Sequence, residues 1–159
     1  MIIDYIATIG YSLIFIANGL SFSNKSPLEL LALLLILTST CAFSIYYYTS
    51  ASTNKTTITD NRQLQIKQLA HTSIILFLLF SIFILEKSKY FYYIGILANS
   101  LLLYAITTNT SLFLGTLLLA IFFGLFAIHN YIMHGSHIAM LGQAILFMYF
   151  MEKTYTFFK

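Results

Sequence analysis

The chain is a succession of apolar stretches, and almost every charge falls between them. The stretches occupy residues 5–22, 27–49, 69–86, 90–106, 111–128 and 131–151. Each is close to the roughly 20 residues that a helix needs to cross a bilayer. The expected fold is therefore all-α, a polytopic transmembrane helical bundle of six spans. We take residues 1–159 as a single transmembrane domain with a polar loop at about 50–67. Charged residues make up 8% of the chain, against roughly 25% in a soluble domain. So few charges cannot cover the surface of a water-soluble globule. The same number excludes a disordered chain and a soluble nucleic-acid binder.

The fourth and fifth spans are short, and merging them into one bent helix gives a five-span alternative. The second span has the clearest start. Pro27 suits the first turn of a helix, Ser26 is its candidate N-cap, and Glu29 faces the positive end of the helix dipole. Within the polar loop, the Ser-, Thr- and Asn-rich half reads as loop. The half from Asp60 to Lys67 reads as the wet first turns of the third span. Six spans place Lys55, Arg62, Lys67, Lys153 and Lys159 on one side of the membrane, and Lys25, Lys87 and Lys89 on the other. The excess puts both termini on the positive side. The sequons at Asn24, Asn54 and Asn109 fall on both sides and read as accidents of composition.

Val and Trp are absent while Ile abounds. Val and Ile are both good in lipid, so the bilayer does not demand this. Residue types with AT-rich codons outnumber those with GC-rich codons by more than three to one, which points to an AT-rich gene. An organelle genome is the expected source, with an AT-rich bacterium as the alternative. The lone Cys41 excludes an internal disulfide and a multi-cysteine metal site. The start of the chain lacks the pattern of a removable signal or transit peptide and reads as an immediate first span.

An ionisable side chain deep in lipid usually marks a proton or ion path. Asp4, Glu29, His71, Glu86 and Glu152 all fall near the expected span ends. The polar residues at depth are Asn18, Thr38, Ser39, Thr40, Ser81, Asn99, Ser100 and Gln143. Uncharged groups of this kind bond across helices or back to their own helix. This favours a packing subunit over a pump. The most suggestive cluster is His129, His134 and His137. His134 and His137 share one face if the helix has started. With Glu29 and Glu86 on the same membrane side, the three imidazoles are a candidate metal site. The alternative is that they simply face headgroups. Bis-His haem ligation fails, because His71 lies on the opposite side. Ser136 beside His137 is adjacency without triad geometry. No catalytic residue and no cofactor is assigned.

Two resemblances follow from particular residues. The stretch 23–41, with Pro27 opening an unbroken apolar run to Cys41, resembles NADH dehydrogenase subunit 6 over about a quarter of the chain. His134-Gly135-Ser136-His137-Ile138 resembles a signature of cytochrome oxidase subunit III. The first resemblance implies a non-catalytic subunit of the mitochondrial NADH:ubiquinone oxidoreductase, with a packing and scaffolding role in the respiratory chain. The second implies an oxidase subunit. An integral-membrane metal-dependent enzyme using the His cluster is the alternative from another class. The expected partners are other membrane subunits of a large hetero-oligomeric complex, and lipids. The expected location is the mitochondrial inner membrane, or a bacterial inner membrane.

Overall fold

The computed structural model describes residues 2–22, 25–52 and 61–158. These form six helices and no strand: α1 (Asp4–Leu20), α2 (Pro27–Ser52), α3 (Asn61–Phe83), α4 (Tyr90–Thr108), α5 (Phe113–Ile132) and α6 (His137–Phe158). The all-α membrane bundle expected from the apolar runs is the fold found. By length and composition, α2, α3, α4 and α5 each suffice to cross a membrane.

Local chemistry sets the helix ends. Ser26 Oγ accepts the Glu29 N–H at 3.3 Å, and its hydroxyl donates to Glu29 Oε1 at 3.1 Å. That is an N-cap with its third helical residue engaged in return. The four-residue break at 109–112 separates α4 from α5 and removes the five-span alternative. Asn109 closes α4 with φ 60°, and Thr110 N–H bonds back to Ala105 O at 3.1 Å. Glu86 and His134 take the same left-handed backbone, each with φ 52°. Lys87 N–H then reaches Ser81 O at 2.9 Å, and Gly135 N–H reaches Asn130 O at 2.8 Å. These are helix C-caps of the kind glycine usually supplies.

The second half of the polar stretch is helix, as expected of the wet first turns of the third span. Residues 50–52 finish α2 and residues 61–67 begin α3. Residues 53–60, with Lys55, Asn54 and Asp60, lie outside the described residues.

Among the described residues the backbone of each helix comes close only to those of its chain neighbours, and α6 returns against α1. The six helices thus form a closed circuit. Its interior is filled by aromatic side chains. Tyr11 stacks on Phe43 and Tyr47, with ring centroids 4.5 and 5.8 Å away, and meets Phe123 edge-on at 5.9 Å. The outer faces carry large apolar side chains such as Ile9, Leu34, Leu76, Leu97 and Met148. Helices apolar on both faces are what a lipid-embedded bundle requires. Circuit closure depends on two glycines. A Cβ on Gly142 would lie 2.8 Å from Gly10 O, and one on Gly10 would lie 3.2 Å from Gly142 O. The α1 and α6 backbones therefore touch, as small residues allow between membrane helices.

Candidate functional site

Polar groups gather at the two ends of the circuit, and the ends differ. At one end lie Lys25, Glu29, Lys87 and Lys89. Glu29 pairs with Lys87 at 3.5 Å. Burial holds the Lys89 ammonium below the usual lysine range, and it sits 5.5 Å from the Phe126 ring centre. The histidine cluster is not assembled as a ligand set. His129 lies on α5 with its ring 5.4 Å from that of Phe91. His134 is in the left-handed turn, and α6 starts only at His137. The shared helical face expected of His134 and His137 does not exist, because the chain turns between them. Glu29 is committed to Ser26 and Lys87, and Glu86 caps α3. Among the described residues, no group of three or more His, Cys, Asp or Glu side chains could hold a metal ion. Ser136 caps α6, its Oγ accepting the Ala139 N–H at 3.3 Å.

The other end is a built polar cavity of about 190 Å³, with walls drawn from all six helices. Asp4 anchors one wall. Its carboxylate accepts the Tyr149 hydroxyl at 2.5 Å and the Ser50 hydroxyl at 2.9 Å, and lies 3.6 Å from Lys153 Nζ. Lys67 stands at another wall with its Nζ 4.9 Å from the Tyr46 ring centre. Leu102, Leu112, Phe150 and Phe157 make the apolar lining.

His71 also lines this cavity and is 1% exposed. The sequence placed it at a span end. The structure places it near the middle of α3, because that helix begins at Asn61, well before the apolar run does. An ionisable side chain therefore does lie inside the bundle, contrary to expectation. Its surroundings are specific. The imidazole packs edge-on against Phe43, centroids 4.8 Å apart. Nδ1 lies 2.8 Å from Asn99 Oδ1. The Asn99 amide is spent on Gly95 O at 2.7 Å, so the oxygen is the atom turned to the imidazole. Oδ1 only accepts, hence Nδ1 carries the proton. In the neutral imidazole Nε2 is then a bare acceptor, and it is buried with no protein partner.

Cys41 has no part in this arrangement. Ser39 and Phe43 share the face of α2 that meets α3, where Ser39 Oγ donates to Ala70 O at 3.0 Å and Phe43 touches His71. A residue two positions from each lies on the opposite side of a helix. Cys41 is accordingly exposed on the outer surface. Sequence reasoning missed the His71–Asn99 pair and the Asp4 cluster. The one available signal was that His71 and Asn99 both interrupt apolar runs.

A family model described as AgrB, accessory gene regulator B, matches residues 2–108, which is 107 of the 159 residues. No curated protein and no solved structure matches. The match is to a bacterial membrane protease family and overturns the respiratory assignments. The resemblance to NADH dehydrogenase subunit 6 rests on residues 23–41, which lie inside the matched range. An unbroken apolar helix after a proline-bearing turn is common to many membrane proteins, so that likeness reported membrane architecture. The oxidase subunit III likeness rests on 134–138, which straddle a turn instead of lying within one helix. Mitochondrion, respiratory chain and electron transport fall with these assignments, and the metal-dependent enzyme gains no support. The AT-rich coding signature fits the bacterial alternative instead.

Proposed function

The chain belongs to the accessory gene regulator B family, a bacterial membrane protease family, and from that premise we propose that it is a peptide-handling protein of a bacterial membrane that works without a cysteine nucleophile. The observation that carries this reading is the separation of Cys41 from His71. Thiol catalysis needs a thiol and a base within hydrogen-bond reach. Here the thiol is exposed on one side of α2, and the imidazole meets the opposite side. The cavity with His71 at its wall, flanked by Lys67, Lys153 and Asp4, has the character of a ligand site: apolar walls with a few convergent polar groups. A peptide supplies the matching groups, because it carries N–H donors, apolar side chains and terminal charges.

The test is purification in mild detergent followed by mass spectrometry of the peptides retained. Wild type is expected to retain a restricted peptide set. Cys41→Ala, and wild type treated with iodoacetamide, retain the same set. His71→Phe loses it while still unfolding cooperatively, at a midpoint lowered by the unmet Asn99 Oδ1. Loss of the set, or of any peptide cleavage, on Cys41→Ala would show thiol chemistry and overturn the reading. So would a wild-type protein that retains no peptide.

A further inference from the structure

We propose that the cavity beside His71 receives the carboxyl-terminal residue of a peptide, with its free carboxylate against Lys67 and its amide N–H on His71 Nε2. The proposal rests on the peptide-handling reading and names which end of the peptide enters.

Three observations converge on it. The first is the polarity of His71. Asn99 holds the proton on Nδ1, so Nε2 can only accept, and it is buried in the cavity wall without a partner. A buried acceptor left unmet is costly, so an occupant that brings a donor is favoured. The second is the charge balance. Lys153 is committed to Asp4, whereas Lys67 has an aromatic neighbour and no acidic partner among the described residues. The cavity therefore carries one uncompensated cation, and that charge favours an anion. The third is size and lining. A space of about 190 Å³ bounded by Leu102, Phe150 and Phe157 suits a single apolar residue and no long segment. A donor, an anion and one apolar side chain within one residue describe a peptide C-terminus. A fatty acid shares the carboxylate and the apolar body but has no N–H.

Asn99 is the positioning residue in this arrangement. It touches no ligand, and it acts by fixing which imidazole nitrogen accepts.

The test uses the full chain in phospholipid nanodiscs with ¹⁵N-labelled histidine. The probes are N-acetyl-Leu-Phe with a free carboxylate, its C-terminal amide, and laurate. The unliganded His71 is expected to show a protonated Nδ1 and a bare Nε2. The free acid shifts Nε2 and binds about tenfold more tightly than the amide, as a charge-assisted contact should. Lys67→Gln removes that preference with the unliganded His71 signal unchanged, and Lys67→Arg keeps it. Asn99→Leu mixes the two tautomers and weakens the free acid. Equal binding of acid and amide would overturn the assignment of the peptide end and leave the peptide reading standing. Laurate shifting Nε2 while the dipeptide fails to compete would overturn both. A protonated Nε2 in the unliganded protein would overturn the role of Asn99.

Discussion

The Asp4 carboxylate and the Tyr149 hydroxyl meet at 2.5 Å across 145 positions of sequence. They tie the first turn of α1 to α6, on the helix pair that closes the circuit. A buried carboxylate is tolerated only with its partners in place. Tyr149→Phe removes one of them, and the expected loss is about 1–3 kcal/mol. Asp4→Ala also leaves Lys153 without its carboxylate and is expected to cost at least as much. Unfolding midpoints in a fixed detergent check both, and an unchanged midpoint for Tyr149→Phe would deny the contact its structural role.

The α1–α6 seam is expected to be intolerant of any Cβ at position 142. Gly142→Ala places a methyl group 2.8 Å from the Gly10 carbonyl, and backbone gives way less easily than a side chain. A cost of about 1–3 kcal/mol follows from overpacking. Gly19 is the internal control, because a Cβ there meets nothing within 4 Å. Gly19→Ala is expected to be neutral or slightly stabilising. Equal midpoints for the two variants would show that the seam is looser than described.

Glu86 and His134 each hold a left-handed backbone with φ 52°, a conformation that costs a residue with a Cβ about 1–2 kcal/mol. Glycine avoids this cost but adds disorder to the unfolded chain. Glu86→Gly and His134→Gly are each expected to raise the thermal midpoint, by an amount equivalent to up to about 1 kcal/mol. Asn109→Gly is expected to gain less, since asparagine tolerates this region. A lowered midpoint for His134→Gly would indicate that its imidazole makes a contact worth more than the strain.

Cys41 is expected to behave as a lipid-facing thiol. In nanodiscs a membrane-soluble maleimide should label it, and a charged thiol reagent should react slowly. Cys41→Ala should leave stability within about 0.5 kcal/mol, as for a surface site. Labelling by the charged reagent at the faster rate would place this face of α2 in water.

The helical class and the helix number were legible because apolar runs of bilayer length have one main use. The wet first turns of the third span, from Asp60 to Lys67, were legible too, and α3 does begin at Asn61. The depth of His71 was not. Hydropathy marks where apolar residues begin, and His71 lies close to that margin in sequence, but neighbouring helices pack around it and leave it 1% exposed. The Asp4–Tyr149–Lys153 group was beyond reach for another reason. Its members lie at opposite ends of the chain, and no local pattern pairs them. The histidine cluster shows the converse error. Closeness in sequence suggested a ligand set, but the four residues 133–136 interrupt the helix between its members, and no group of three ligands forms among the described residues.

Because the backbone of each helix lies beside only its chain neighbours until α6 returns to α1, assembly has an order. A ribosome delivers α1 first, and its inner partner emerges last of the six. During that interval Asp4, Tyr11 and Gly10 face a bundle with one wall missing. The nascent protein must keep a buried carboxylate waiting while well over a hundred residues are made. The cavity described above comes into being only once α6 has inserted, so a ribosome stalled before α6 leaves an inserted chain that has no site.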